Sequence, residues 1–339
     1  MLNLIKLSKI FVFMLRKWFY FFLIFSIVLK IISLSGCVSH ARFKVLYPAE
    51  IALPTDIKSV VIINRSRFNP NMDSIQQIEQ QMIPHLIQTL NDNFKLSPRI
   101  VPVIAHEEDI KTSRHIPPPM LWEKAAFFCQ KYDAEALISI DDIHFEHSIE
   151  SGKTADHEYF AHLKIEFETF VRLYYPEKQI ILDQAPISSS KNWKRTGSSQ
   201  EEAFHKLISI NQALRNVTVA SGEKYVKRIS PHWQYQKRDY FKKGKDNGYF
   251  HEALRHAEIG NWEEAIMLWE KASTSDNPKI ASRATYNIAL GHEILGNIEE
   301  ARKWASLSFT KYNLKRGMKY TRVLESRIND QRKLKSQLN

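Results

Sequence analysis

The stretch YFAHLKIEFETFVRL, from Tyr159 to Leu173, sets the fold class of the first half of the chain. Tyr159, Ala161, Leu163, Ile165, Phe167, Val171 and Leu173 are apolar, and His162, Lys164, Glu166, Glu168 and Arg172 alternate with them. A period of two belongs to a strand with one buried and one wet face, the pattern of an antiparallel sheet. Upstream, residues 133–147 read as a partner strand with a flaw. Ala136, Ile138 and Ile140 share one parity, whereas Ile143 and Phe145 take the other. A change of face within one strand predicts a bulge near Asp141 and Asp142. Downstream, Pro176 turns the chain into a short strand over residues 179–182, which completes an antiparallel meander.

Working towards the N-terminus, the apolar run Ser59–Ile63 reads as a buried strand. Asp73 and Gln76 form a capping box for a helix reaching about Asn91, which Pro84 must kink or split. A short strand over 99–104 and a helix from Leu121 to Tyr132 follow. Cys129 shares a helix face with Leu121, Ala125, Phe128 and Tyr132, as a small buried hydrophobe would. A last helix starts at Ser198 or Ser199, with Ala203, Leu207, Ile210, Leu214 and Val217 as its apolar stripe. The expected order over residues 45–231 is β-α-β-α-β-β-β-α, a mixed α/β sandwich within an α+β chain.

The chain opens differently. WFYFFLIFSIVL, Trp18–Leu29, has the length of a signal-peptide apolar region, and Arg16 and Lys17 precede it. Leu34, Ser35 and Gly36 then lead to Cys37, as at a lipoprotein cleavage site, where the thiol takes the acyl anchor. Residues 1–36 are therefore read as a leader, with Met1 or Met14 as its start, and 37–44 as a lipidated tether. The alternative is a transmembrane anchor, which Lys30 interrupts. The leader holds five cations, Lys6, Lys9, Arg16, Lys17 and Lys30, and no acid, so its loss lowers the net charge from +11 to +6. That mild excess suits an anionic membrane or glycan surface and argues against nucleic acid. With Cys37 acylated, Cys129 has no disulfide partner within the chain.

From Trp233 the composition turns helical and basic, and a repeat emerges. GNWEEAIMLWEKA (Gly260–Ala272) and GNIEEARKWASLS (Gly296–Ser308) share Gly-Asn, then Glu-Glu-Ala. This resembles the tetratricopeptide repeat, a helix–turn–helix unit of about 34 residues. The resemblance puts Gly260 and Gly296 at the turns, Ala265 and Ala301 at the closest helix contact, and Trp262, Trp269 and Ala272 in the packed face. Glu252 and Ala305 depart from the pattern. The resemblance implies a groove for a partner protein, with Arg283 and Lys303 as candidate groove residues. Two repeats bury little alone, so the basic helix from Met318 to Leu334 is expected to cap one end of a helical domain over 232–339. Together, Pro48-Ala49-Glu50, the VVIINRS strand, SGEKYVKRISPHW and the repeat resemble an uncharacterised Bacteroidota lipoprotein family. In it, a domain of unknown function precedes tetratricopeptide repeats. The element order is also similar to α/β domains of the curli-pore and penicillin-binding-protein-activator lipoproteins, a likeness of fold alone. Residues Val38–Arg42 carry no acid, which by resemblance to such lipoproteins implies an outer-membrane location facing the periplasm.

No sequence motif marks an enzyme: GxSxG, HExxH, P-loop and GxGxxG are all missing, and no cofactor is implied. Asp142, His144 and Glu146 share a strand face near His147, His157 and His162, a pattern that either a metal site or a solvated strand face produces. His106–Asp109 reads as a solvated loop. Asp73-Ser74-Ile75 fits either a short O-glycosylation signal at Ser74 or a helix start. Trp193-Lys194-Arg195, and the run from Arg238 through Tyr240, Phe241, Lys242, Lys243 and Lys245, form basic aromatic patches that could stack on sugars. The expectation is a membrane-anchored scaffold that binds an envelope protein. A glycan-binding module is the alternative, and an unrecognised metal-dependent enzyme comes third.

Overall fold

The computed structural model describes residues 38–66, 74–109 and 116–338. The fold is mixed α+β, a sheet-containing N-terminal region followed by an all-helical region. The elements are β1 (Val38–Tyr47), β2 (Ser59–Asn64), α1 (Ser74–Lys95), β3 (Val101–Asp109), α2 (Trp122–Lys131), β4 (Ala136–Lys153), β5 (Tyr159–Tyr175) and β6 (Ile180–Gly197). Then come α3 (Gln200–His205), α4 (Ile210–Ile229), β7 (His232–Phe241), α5 (Gly248–Glu258), α6 (Trp262–Ser273), α7 (Pro278–Ile294), α8 (Ile298–Thr310) and α9 (Lys315–Leu338). No helix among the described residues is long and apolar enough to cross a membrane. Cys37, the leader, Asp73 and the start codons lie outside the described residues.

The described residues fall into two compact units, those within 46–234 together with 330–338, and 38–45 with 235–329. In the first, five strands run in the order β3-β2-β4-β5-β6. β2 pairs in parallel with β3 and β4, and β4, β5 and β6 are antiparallel. The apolar run in β2 is buried on both faces. Val60 and Ile62 meet Leu86, Leu90 and Phe94 of α1 with Leu214 and Val217 of α4. Val61 and Ile63 meet Ala125, Phe128 and Cys129 of α2 on the other side. The bulge falls between Ile140 and Asp142, as the parity switch predicts, and returns Ile143 and Phe145 to the α1 side. α1 is continuous through Pro84, which lies exposed on the outer face of the helix.

Several expectations change. β6 is 18 residues long rather than four. It is an edge strand, so Pro186 needs no ladder partner on its open side, and its polar run SSSKNWKRT hides the alternation. His106–Asp109 continue β3 instead of forming a loop. The last α/β helix is two helices, because the Ser209 side chain accepts the Gln212 N–H and starts a new one. Residues 38–44, expected as a tether, are strand, and so are 232–241, expected as helical. The C-terminal residues return to the α/β unit, where the Gln337 side chain bonds both the N–H and the C=O of Ala49 (2.8 and 3.0 Å).

In the second unit, β1 and β7 form a two-stranded ribbon. His40 bonds Asp239 and Lys44 lies over Tyr235, so the strands run in opposite directions. The inner side of the ribbon, with Ala41, Phe43, Tyr240 and Phe241, joins the helical core.

Candidate functional site

The two repeat copies make the same turn. Gly260 and Gly296 take positive φ values of 83° and 85°, which L residues with a Cβ rarely adopt. In each copy the following Asn N–H reaches back to a carbonyl five residues earlier: Asn261 to His256 and Asn297 to His292, both at 2.9 Å. Ala265, Trp269, Ala272 and Ala301 are fully buried, and Trp262 packs against the same core. Ala305 is small because α9 arrives there. A Cβ on Gly317 would stand 2.7 Å from the Ala305 carbonyl oxygen and would clash with the Ser308 hydroxyl. The departure from the repeat pattern is thus a close helix crossing.

The face of α7 carries the most elaborate polar construction in this unit. The Asn287 side chain accepts the Phe241 N–H (2.8 Å) and donates to the Phe241 C=O (2.9 Å), satisfying both main-chain groups at the end of β7. Phe241 packs edge-on against Tyr286 at 5.3 Å, with the guanidinium groups of Arg283 and Arg316 over its ring. Farther along β7, Arg238 pairs with the buried Glu293 (3.1 Å), which also accepts the Tyr320 hydroxyl (2.5 Å). Burial and the neighbouring carboxylate hold the Tyr320 hydroxyl far above its ordinary pKa, and burial pushes Tyr286 up to about 12. The α7 face is therefore a seat for extended chain, and β7 sits in it. Arg283 belongs to this seat and donates to the Lys243 carbonyl (2.6 Å). Lys303 does not: it lies exposed on α8, paired with Glu300 (2.5 Å). The sequence places them in one groove; the structure gives them separate partners. Sequence reasoning misses Asn287 and Glu293, although an Asn and a Glu on the apolar stripe of a helix signal a buried polar task.

In the α/β unit, the antiparallel strands carry a polar trough of about 490 Å³ lined by His144, Glu146, Glu166, Glu168 and Ser188–Ser190. His144 and Glu146 do share this face, but His144 Nδ1 is taken by Glu79 of α1 (2.9 Å), which also accepts the Phe145 N–H (3.2 Å). Glu168 accepts the Ser188 hydroxyl (2.7 Å), and His162 faces Glu150 (3.8 Å). Among the described residues no group of three or more His, Cys, Asp or Glu stands close enough to hold a metal ion. The carboxylates and serines present acceptors and hydroxyls to a polar ligand.

Asp141, the bulge residue, is buried with Arg172 and Arg65. These two guanidinium groups donate to the Pro117 and Pro118 carbonyls (2.8 and 2.9 Å), and the Met120 N–H donates to Tyr174 (3.1 Å). The cluster pins the chain entering α2. An Asp within an apolar strand, at the face switch, is its visible signal in the sequence.

In the basic aromatic patches the rings are turned wholly or partly inward. Trp193 packs against the α/β core, and Tyr240 and Phe241 are buried. The Lys194 ammonium lies over the Phe160 ring at 4.4 Å, a cation–π contact across the two strands. Cys129 is buried, and desolvation with the nearby Glu135 pushes its thiol up to about 12. Ser74 is the exposed first residue of α1.

Residues 57–241 match the model of a domain of unknown function (DUF8603), and residues 251–332 match a second domain of unknown function (DUF6340). No curated protein matches the sequence. Among solved structures, the PelC dodecamer from Paraburkholderia phytofirmans is 12% identical, covers 57% of this chain and 99% of its own, and has a TM-score of 0.22. A neuraminyllactose-binding hemagglutinin homolog from Helicobacter pylori is 16% identical over 52% of this chain and 85% of its own, with a TM-score of 0.27. The hypothetical protein CT253 from Chlamydia trachomatis is 12% identical over 50% of this chain and 95% of its own, with a TM-score of 0.31. Likenesses this slight transfer neither activity nor partners.

Proposed function

We propose that this chain, which belongs to the DUF8603 family, is an envelope lipoprotein anchored through an acylated Cys37 in the outer membrane, facing the periplasm, and that its tetratricopeptide-like helical unit is a scaffold for a partner protein. The observation that carries this reading is the Asn287 amide. One side chain meets the N–H and the C=O of an extended segment and so grips main chain regardless of its sequence. β7 fills that seat, and a partner strand binds by competing with it. The partner is a protein that offers an extended segment.

The test is cross-linking in cells that produce the full chain, beside cells producing Asn287→Ala, followed by mass analysis of Cys37 and of the captured proteins. A specific partner, captured by the wild type and lost with Asn287→Ala, supports the reading. Equal capture by both removes the α7 seat from the account. An unacylated Cys37 removes the anchor.

A second reading rests on the trough over β4, β5 and β6, whose carboxylates and serines suit the hydroxyls of a glycan. Sedimentation with isolated sacculi tests it. Loss of co-sedimentation with Glu166→Ala and Glu168→Ala supports it, and sedimentation unchanged by these substitutions refutes it.

A further inference from the structure

We infer that the outer face of the β1–β7 ribbon lies against the anionic headgroups of the same bilayer that holds the Cys37 anchor, an inference that rests on the lipoprotein reading above. The ribbon has two unlike sides. Ala41, Tyr240 and Phe241 turn into the helical core. His40, Arg42 and Lys44 of β1, and Tyr235, Lys237 and Asp239 of β7, are exposed. Tyr235 is 69% exposed although its neighbour Tyr240 is 3% exposed, so a large ring is held in solvent beside a cation, with Lys44 over it at 5.3 Å. Asp239 on the same face is bonded to His40 (2.7 Å), so Arg42, Lys44 and Lys237 set the cationic character of that face. Lysine, arginine and tyrosine on one amphipathic face suit the interface of an anionic bilayer.

The length of chain fixes the occupant. Val38, the residue that follows Cys37 in the sequence, already belongs to β1, so the ribbon joins the anchoring residue directly. At about 3.3 Å per residue, Arg42 and Lys44 stand within roughly 25 Å of the acylated residue even fully extended. The turn that follows β7 adds Lys243 and Lys245, both exposed. Each basic side chain brought to an anionic surface contributes about a fivefold preference, so the three ribbon cations give a bias on the order of a hundredfold toward the seated state. The anchored protein is thereby held at a fixed attitude on the membrane.

The experiment uses the processed full chain, with acylation of Cys37 verified by mass. It is reconstituted into vesicles of phosphatidylcholine alone or of phosphatidylcholine with phosphatidylglycerol, and hydrogen exchange is followed over residues 38–45 and 235–245. The expected result is exchange roughly tenfold or more slower on the anionic vesicles, abolished by high salt. The same slowing should be lost in the triple variant Arg42→Glu, Lys44→Glu, Lys237→Glu. Equal exchange on both vesicles, in protein whose Cys37 is acylated, overturns this inference and leaves the anchor standing. Protein without an acyl group at Cys37 overturns both.

Discussion

Replacing Asn287 with alanine removes one side chain and orphans two main-chain groups. The Phe241 N–H and C=O lose bonds of 2.8 and 2.9 Å in a buried setting. An unpaired buried group costs about 1–3 kcal/mol, so the loss of both weakens the seat of β7 by roughly 2–6 kcal/mol, the lower end applying where a water enters the vacated space. The substitution leaves the packing of Phe241 on Tyr286 and the Arg238–Glu293 pair in place, so the loss falls on local opening of β7 before global unfolding. Hydrogen exchange over β7 reads it directly: a loss of 2 kcal/mol corresponds to roughly 30-fold faster exchange, and larger losses to more. Circular dichroism should retain the helical signal. Exchange over β7 that matches the wild type within about twofold would refute the reasoning, because it would mean that the amide grip holds nothing.

Other outcomes follow from single sites. Asp141→Leu leaves Arg65 and Arg172 buried without their carboxylate and should lower stability by about 3–5 kcal/mol in urea unfolding. Gly317→Ala forces α9 away from Ala305 and Ser308, with an expected loss of about 1–3 kcal/mol in thermal unfolding. Glu202 pairs with Lys206 and accepts the Ser198 N–H at the start of α3, and together these hold its carboxyl down to about 2. Its folded pKa lies below the unfolded value, so its contribution is present above about pH 4.3 and is lost as pH falls through the folded pKa. A carboxyl titration by NMR should place it well below its exposed peers, and Lys206→Ala should raise it. Cys129, with its thiol pushed up to about 12, should react with maleimide at pH 8 on the order of a hundredfold or more slower in native than in unfolded protein, read by peptide mass.

Legibility followed burial. β2, β4 and β5 were readable because each commits apolar side chains to a defined face, and the bulge at Asp141 was readable because the commitment switches parity. β6, β1 and β7 were not. They are edge or ribbon strands with much exposed surface, and their aromatic residues point outward as often as inward: Tyr235 lies in solvent, whereas Tyr240 is buried. The helical turns were legible from Gly260 and Gly296, where positive φ restricts the residue choice. The seat on α7 was not, since Asn287 acquires its role only when a strand 46 residues earlier in sequence folds onto it. Arg283, a groove residue by resemblance, does lie at that seat, but its partners are the chain's own Phe241 and Lys243. The triad Asp142, His144 and Glu146 looked the same in sequence whether solvated or metal-binding. Only the fold brings Glu79 from α1 to His144.

The central claim is that a partner strand and β7 compete for one seat, and competition makes a signed prediction. Phe241→Leu loosens β7 by roughly 1 kcal/mol while Asn287 stays in place. Quantitative cross-linking in cells, wild type against Phe241→Leu at equal protein level, should then show the same partner captured about fivefold more with the variant. Capture that is unchanged or reduced by Phe241→Leu would contradict the account, because β7 would then be a fixed part of the scaffold and not the occupant that a partner replaces.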